Sequence, residues 1–243
     1  MNMKTKFLVI SLKNILSGFL IIILFGISGL LMYNFSSADE EAVETFAVPV
    51  TNKVILIDPG HGGIDAGASA NGAVEKEINL DIALRLQEFI EESGGIAILT
   101  RSEDISTADK NRSKNLTQKK SDLIERKKAI EKYNADVFIS IHMNKFSEEK
   151  YYGAQVFYPL KNEESKNLGE IMQSSLKEYL DKTNTRKAKA TNDIYVIKDN
   201  EIPSVLIECG FLSNKEEAKK FSTPEHRQKT AWAIYLGLIK FFM

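Results

Sequence analysis

Cysteine is almost missing from this chain of 243 residues, since Cys209 is its one cysteine. A single thiol excludes an intramolecular disulfide framework. Excess charge is missing as well. The formal net charge is -1 at pH 7, which argues against a nucleic-acid binder, because such proteins usually carry a basic face. Hydrophobic residues make up 43% and charged residues 27% of the chain, which is the balance of a globular protein. The length then suits one well-buried domain with a short appendage.

Charge is also missing from the run 15–33, which consists mostly of leucine, isoleucine, phenylalanine and glycine. Its length is close to the roughly 20 residues that cross a bilayer as a helix. Basic residues before it and acidic residues after it have the order of an inside-to-outside segment. These residues are Lys4, Lys6, Lys13, Asp39, Glu40 and Glu41. Residues 1–38 are therefore predicted to be an uncleaved signal anchor, which the length favours, or a signal peptide cut after Ala38. Either segment places the rest of the chain outside the cytoplasm, secreted or membrane-anchored.

Strands and helices are predicted to alternate through the domain 53–243, which follows an acidic linker at 39–52. The predicted strands are 53–58, 96–100, 136–141, 153–158, 194–197 and 204–207. The predicted helices are 75–92, 122–133, 165–180 and a last one from about 223, which turns Trp232, Tyr235, Leu236 and Ile239 inward. Strands separated by helices of this length favour a three-layer α/β domain with a largely parallel sheet.

Two polar, basic stretches interrupt this pattern. The segment 102–120 is predicted to be a mobile, solvated loop, and the alternative is a contact with an acidic polymer. A second basic stretch covers 182–189, after the third predicted helix. The pattern assigns this second stretch no role.

Two of the three histidines stand where apolar strands end. His61 follows the first strand and is flanked by glycines, which let the backbone turn sharply and leave space beside the imidazole. His142 follows the apolar run 137–141. Ligands and catalytic groups of open α/β sheets gather in the loops beyond the carboxyl ends of strands. Two histidines at equivalent strand ends therefore indicate a functional site.

A catalytic zinc site commonly uses two histidines and one carboxylate, with a fourth position for water. Glu75 and Glu77 both lie at the start of the helix after the glycine-rich loop. They are two residues apart and point in different directions on a helix, so only one of them is expected to be a ligand. Glu75 is nearer to the loop and is the preferred candidate. Glu77 would then only interact favourably with the helix dipole at the N-terminus of this helix.

Glu208 directly follows the apolar strand 204–207. An ionisable residue at that point is costly unless it is paired or belongs to a site. It is interpreted as the general base of a hydrolase, and the alternative is a carboxylate in a salt bridge at the sheet edge. Cys209 next to it suggests a second hypothesis, a cysteine hydrolase that uses His142. Neighbouring side chains on a strand face opposite ways, which favours a small buried thiol instead.

Four motifs carry a resemblance to a known family, and they occur in that family's order. They are VILIDPGHGG at 54–63, EKEINL at 75–80, SIHMN at 140–144 and IECGFLSN at 207–214. Together they resemble the zinc-dependent N-acetylmuramoyl-L-alanine amidases of the amidase_3 type, over about residues 52–243. Each motif alone is weak, whereas four in order are highly specific.

The resemblance implies a six-stranded sheet flanked by helices, and hydrolysis of the amide bond between N-acetylmuramic acid and L-alanine in peptidoglycan. It implies zinc held by His61, Glu75 and His142, which selects Glu75 over Glu77. It also implies catalysis by Glu208. Two further residues lie at family-like positions. Asn144 is expected to orient His142 or to bind substrate, and Arg126, which lies in a charged helix, is expected to form a structural pair.

The small domain behind a membrane segment is similar to the sporulation and germination amidases of the CwlD type, which prepare spore cortex for muramic-δ-lactam formation. That similarity implies action in the space between the forespore membranes. A domain without wall-binding repeats has little means of localising itself, so we expect a protein partner that recruits or activates it. A vegetative cell-wall amidase and a non-catalytic peptidoglycan-binding relative are the alternatives. No nucleic-acid partner is expected.

Overall fold

The computed structural model describes residues 12–36 and 48–243. They separate into two compact units, which fall within Met1–Phe46 and Ala47–Met243. The first unit contains helix α1 (Leu12–Ser36). Among the described residues, no helix combines the length and the hydropathy that crossing a membrane requires.

Several predictions about the N-terminal part lie outside the described residues. These are the charges at 4–6 and 39–41, the cleavage after Ala38 and most of the linker 39–52. They stay predictions.

The second unit is an α/β domain. Its strands are β1 (Val54–Pro59), β2 (Ser69–Ala70), β3 (Ala73–Val74), β4 (Ile96–Leu99), β5 (Val137–Asn144), β6 (Gln155–Pro159), β7 (Lys189–Thr191) and β8 (Ser204–Phe211). Strands β2 and β3 form a short antiparallel hairpin. The other strands form one six-stranded sheet in the order β4-β1-β5-β8-β6-β7. Strand β8 runs antiparallel to β6, and the remaining neighbours in this sheet are parallel. The predicted largely parallel sheet is confirmed.

Helices cover both faces of the sheet. They are α2 (Glu75–Glu92), α3 (Gln118–Lys132), α4 (Glu163–Tyr179), α5 (Lys215–Phe221) and α6 (Pro224–Phe242). Because successive strand residues face opposite sides, Ile55 and Ile57 join the large core under α2, α4 and α6, while Leu56 joins the smaller core under α3. The predicted three-layer α/β fold is confirmed.

The order of the central strands decides where the candidate residues lie. Parallel strands β1, β5 and β8 are neighbours, so their carboxyl ends share one edge of the sheet. His61 follows β1 after one residue, Gly60. His142 lies in β5 opposite Glu208 in β8. The three residues therefore meet at this edge, where open α/β sheets usually place their ligands.

Some predicted elements were wrong. Residues 194–197 form turns instead of a strand, with the Ile197 and Lys198 amides bonded to the Ile194 carbonyl. Val196 and Ile197 still enter the smaller core. The apolar pattern therefore predicted correctly that these residues are buried, but it did not predict their backbone conformation. In α6, Trp232 is 42% exposed, whereas its neighbours Ala231 and Ala233 are buried. Helix α5, strand β7 and the β2–β3 hairpin were not predicted.

The segment 102–120 is a loop until α3 begins at Gln118, because the Thr117 side chain caps that helix. Its first half is tied to the domain. Asp104 accepts a hydrogen bond from the Gly63 amide at 2.8 Å, and the Thr107 amide donates to Asp122 at 2.7 Å. The loop therefore packs beside the chain that carries His61.

Candidate metal centre

Two histidines share one carboxylate oxygen at the edge of the sheet. Glu75 Oε1 lies 2.9 Å from His142 Nδ1 and 3.2 Å from His61 Nε2. The two imidazole rings are 4.9 Å apart and nearly perpendicular. One potential ligand atom from each of the three side chains lies within 4.8 Å of the others. The structure thus brings together the three residues that the sequence singled out as metal ligands.

Glu75 is the first residue of α2 and is only 3% exposed. Its Oε2 accepts from the Ala68 amide at 2.6 Å, and its Oε1 accepts from the Met143 amide at 3.0 Å. Burial alone would raise the pKa of Glu75, but hydrogen bonds from the two histidines outweigh it and lower the pKa far below the ordinary value. Glu77, the alternative carboxylate, is exposed. Glu75 is therefore ionised and fixed toward both imidazoles.

The backbone at Gly67 lies close to the Glu75 and His61 side chains, and this close approach requires a residue without a side chain. Gly67 has a φ of +67°, and a Cβ atom there would lie 2.5 Å from Glu75 Oε2 and 2.7 Å from His61 Cδ2. Any side chain at position 67 would displace the carboxylate. His61 itself has a φ of +63°, an uncommon conformation outside glycine.

Two buried arginines hold the carbonyl groups of the loop that carries His61. Arg126 donates to the Pro59 carbonyl at 2.7 Å and to the His61 carbonyl at 2.5 Å. Arg101 donates to the Pro59 and Gly60 carbonyls, each at 3.0 Å. These bonds fix the backbone on both sides of the strained His61 residue.

Arg126 also forms a buried pair with Asp58 at 2.6 Å. Burial alone would raise the pKa of Asp58, but Arg126 and hydrogen bonds from Thr100 and Ser140 outweigh it and hold the pKa below its ordinary value. Asp122 accepts from the other side of the guanidinium at 2.6 Å. Two carboxylates, Asp58 and Asp122, therefore compensate the charge of Arg126 behind the site.

The donor set fits a zinc ion. Two imidazoles and one carboxylate are the protein ligands of many catalytic zinc sites. Zinc-bound histidines usually donate their other ring nitrogen to a carboxylate. His61 fits this pattern, because its Nδ1 lies 3.0 Å from Asp65 Oδ2 while its Nε2 faces Glu75. Burial would lower the pKa of His61, but Glu75 and Asp65 together raise it. Two carboxylates thus face His61, and they favour a positive charge at this position.

Glu208 stands beside this cluster with an unused oxygen. It lies in β8, in register with His142 in β5 and with Gln155 in β6. Its Oε2 is buried and has no hydrogen-bond partner among the described residues. Burial is the largest cause that raises the pKa of Glu208, to about 7. A carboxyl group with this pKa can take up and release a proton near neutral pH.

The remaining candidates are Asn144 and Cys209. The side-chain oxygen of Asn144 accepts from the Lys145 amide at 2.7 Å, at the end of β5. Cys209 is buried in the larger core, on the opposite face of β8 from Glu208, and burial raises the pKa of its thiol. A buried, protonated thiol that faces away from His142 is not placed to act as a nucleophile.

Sequence reasoning missed Asp58, Asp65 and Arg101. Asp65 follows His61 by four residues in a glycine-rich loop, so no helical or strand periodicity relates the two. Arg101 follows β4 and resembles a solvated cation in the sequence, yet it is 2% exposed. The buried carbonyls that bind it become visible only in the fold.

An α/β domain with two histidines, a shared carboxylate and an unpaired glutamate at one sheet edge has the make-up of a metal-dependent hydrolase. Comparison with known proteins narrows this class. A family model described as N-acetylmuramoyl-L-alanine amidase matches residues 55–240. The chain belongs to this N-acetylmuramoyl-L-alanine amidase family, and the predicted enzyme class is confirmed.

Individual relatives agree with the family. The germination-specific N-acetylmuramoyl-L-alanine amidase of Bacillus subtilis (strain 168) is 36% identical over 213 residues, which cover 88% of this chain and 90% of the relative. The CwlD amidase from Clostridioides difficile, solved in complex with the GerS lipoprotein, is 49% identical with a TM-score of 0.75, covering 78% of this chain and 98% of that one. The N-acetylmuramoyl-L-alanine amidase AmiC2 of Nostoc punctiforme is 28% identical with a TM-score of 0.66, covering 78% and 96%.

Proposed function

We propose that this chain is a zinc-dependent amidase that cleaves the bond between N-acetylmuramic acid and L-alanine in peptidoglycan. In this proposal His61, Glu75 and His142 hold the metal. The observation that carries it is the carboxylate shared by two imidazoles beside the unpartnered Oε2 of Glu208. A zinc ion supplies Lewis-acid chemistry to such hydrolases, by polarising a carbonyl group and acidifying water.

Glu208 is proposed as the general base and acid. Its Oε2 takes a proton from the attacking water and then passes it to the amino group of the departing L-alanine. Burial supports this role, because it raises the pKa of Glu208 to about 7 and so makes both proton transfers accessible. No described protein group competes for the Oε2 atom.

Arg126, Arg101 and Asp65 are proposed to keep His61 in place during this reaction. The arginines bond the carbonyls around His61, and Asp65 bonds its Nδ1 atom. Asn144 is proposed to orient substrate, since it is the last residue of β5, two residues after His142, and its side chain is half-buried. We place the catalytic domain at 53–243, in agreement with the span of the family match.

We further propose a role in spore cortex maturation, in the step that leads to muramic-δ-lactam. The similarity to a germination-specific amidase over most of both chains supports it. The proposed site of action is outside the cytoplasm, with residues 1–38 as a signal anchor or signal peptide. A protein partner is proposed to recruit or activate the domain, and the similar CwlD amidase was solved together with a lipoprotein.

Mass spectrometry of muropeptides tests the proposed reaction. The purified full-length protein is incubated with cortex-type peptidoglycan after chelation, and again after zinc is added back. We expect free stem peptides and unsubstituted muramic acid residues only with zinc. Cleavage of a glycosidic or peptide bond instead, or release that is indifferent to chelation, would contradict the proposal. Full activity of the purified protein without any addition would contradict the activating partner.

A further inference from the structure

A cavity of about 330 Å³ lies between the chain that leads to strand β6 and the chain that leads to strand β7. It is lined by Lys150, Tyr151, Tyr152, Asn184, Thr185 and Arg186. Two of these side chains are cations and none is a carboxylate. Arg186 belongs to the basic stretch 182–189, to which the sequence pattern assigned no role. Lys150 is paired with Glu148, which is not part of the lining, so Arg186 is the side chain through which the cavity presents uncompensated positive charge.

Arg186 is fixed in place by contacts on three sides. Its Nε donates to the Tyr152 carbonyl at 2.7 Å, and its Nη1 donates to Gln155 Oε1 at 3.0 Å. The guanidinium group also stacks on the Phe211 ring, 4.4 Å from the ring centre. Among the described hydrogen bonds, none uses Nη2. The guanidinium is thus held rigidly, and its Nη2 group is still able to donate.

The loop under Arg186 is equally well ordered by its own bonds. The Arg186 amide donates to Asn184 Oδ1 at 2.9 Å, and Asn184 Nδ2 donates to the Ala154 carbonyl at 2.8 Å. Asn184 is 1% exposed. A cation on such a pre-formed loop loses little conformational freedom when it binds an anion.

This arginine is connected directly to the proposed active site. Gln155, its hydrogen-bond partner, lies in register with Glu208, and Glu208 lies in register with His142. An irregularity between β5 and β8 then places Phe211 opposite Asn144. Residues in register point to the same face of a sheet. Arg186 therefore continues the row of side chains that runs from His142 through Glu208.

We propose that Arg186 binds a carboxylate of the peptide that extends from the reacting amide, and that this cavity is the subsite for an anionic stem peptide. The inference rests on the proposed function. Neighbouring strands are about 5 Å apart and a peptide residue spans about 3.5 Å, so the first few residues beyond the amide reach the guanidinium. The charged guanidinium, with its Nη2 group free to donate, suits a carboxylate oxygen, because hydrogen bonds between ionised groups are the strong ones.

Paired substrates test this inference. Two N-acetylmuramoyl peptides are compared that are identical except that the peptide carboxylates are free in one and amidated in the other. The kcat/KM of the full-length zinc-loaded protein is expected to be about tenfold higher for the substrate with free carboxylates. The difference should lie in KM, and its size is typical of a hydrogen bond to a charged group. Equal kcat/KM for the two substrates would overturn the proposal without any variant.

Three variants test whether Arg186 causes this substrate preference. Arg186→Gln is expected to raise KM for the carboxylate substrate about tenfold, with kcat and the amidated substrate unaffected. Arg186→Lys is expected to restore part of the preference. Lys182→Gln, an exposed cation of the same stretch, is the matched control and should behave like the wild type. A loss that is equal for both substrates would mean that Arg186 only supports the fold, and would overturn the proposal.

Direct binding separates this inference from the proposed function. The free peptide without its muramoyl group is titrated calorimetrically into the wild-type protein in its carboxylate and amidated forms. About tenfold tighter binding of the carboxylate form supports the subsite, even if the protein cleaves neither substrate. Equal binding of both forms overturns it, even if the protein is an active amidase.

Discussion

Glu208 stands in register with His142 across the parallel strands β5 and β8, and its Oε2 atom is buried without a hydrogen-bond partner. A carboxylate that served only as a salt bridge would be paired here. Glu208→Gln keeps the shape of the side chain and removes the proton acceptor. We expect amide release to fall by roughly a hundred- to ten-thousand-fold, the usual contribution of general acid–base catalysis.

The control for this substitution is Glu201→Gln, which changes an exposed carboxylate just before β8. It is expected to leave the rate unchanged. Zinc binding by Glu208→Gln should also be retained, because Glu208 is not among the proposed ligands. Undiminished release of stem peptide by Glu208→Gln, measured by mass spectrometry, would exclude Glu208 as the base.

Cys209→Ala is expected to leave amidase activity intact. The thiol is buried in the larger core on the opposite face of β8 from Glu208, and burial raises its pKa. Alkylating reagents should for the same reason have no effect on the folded protein. The measurement is the initial rate before and after iodoacetamide treatment, for the wild type and the variant. Inactivation of the wild type alone would support the cysteine-hydrolase hypothesis.

Asp58→Asn is expected to destabilise the protein by about 3 kcal/mol, because it removes the fully buried one of two carboxylates that compensate Arg126 and leaves only the partly exposed Asp122. The two side chains are 2% and 1% exposed and 2.6 Å apart. Denaturant unfolding measures the change. The matched control is Glu125→Gln, which breaks a solvent-exposed pair with Lys128 and should have little effect. Similar small effects of both substitutions would contradict the structural role given to the buried pair.

The same substitution predicts a pH dependence. The pKa of Asp58 is lower in the folded protein than its ordinary value of 3.8, so the unfolded chain takes up the proton first as the pH falls. The contribution of Asp58 to the free energy of unfolding is therefore fully present above the unfolded pKa. It is lost as the pH falls from there through the folded pKa.

Unfolding curves at several pH values check this sign. The difference in stability between the wild type and Asp58→Asn should be constant near neutral pH and should shrink below about pH 4. The other carboxylates with a lowered pKa are present in both proteins and cancel in the difference; they are Asp65, Glu75, Asp104, Glu178 and Asp181. A difference that grows in acid would contradict the pKa direction.

Local sequence signals defined some elements well. Helix α2 has the predicted bounds, because its apolar residues recur at helical spacing and a glycine pair follows its end. Strands β5 and β8 are longer than predicted, since polar His142 and Glu208 continue the pairing instead of ending it. The sequence predicts a strand end at each polar residue, whereas the length of a strand depends on how far the neighbouring strands pair with it.

Some residues of the candidate site could be predicted from the sequence and others could not. His61 and His142 could be identified because each one follows an apolar run in the sequence. Glu75 could be separated from Glu77 only through the family resemblance, because two glutamates in a first helical turn look alike in a sequence. Asp65 and Arg101 could not be identified, since their partners are a strained imidazole and backbone carbonyls that the fold brings together.

The central claim is that a zinc ion is held by His61, Glu75 and His142. Zinc stoichiometry of Glu75→Gln and Glu77→Gln, measured by equilibrium dialysis and elemental analysis, tests it most directly. The two substitutions make the same chemical change at neighbouring positions, one buried against both imidazoles and one exposed. We predict about one zinc ion per chain for the wild type and Glu77→Gln, and loss of zinc for Glu75→Gln. Full zinc occupancy in Glu75→Gln would contradict the proposed metal site.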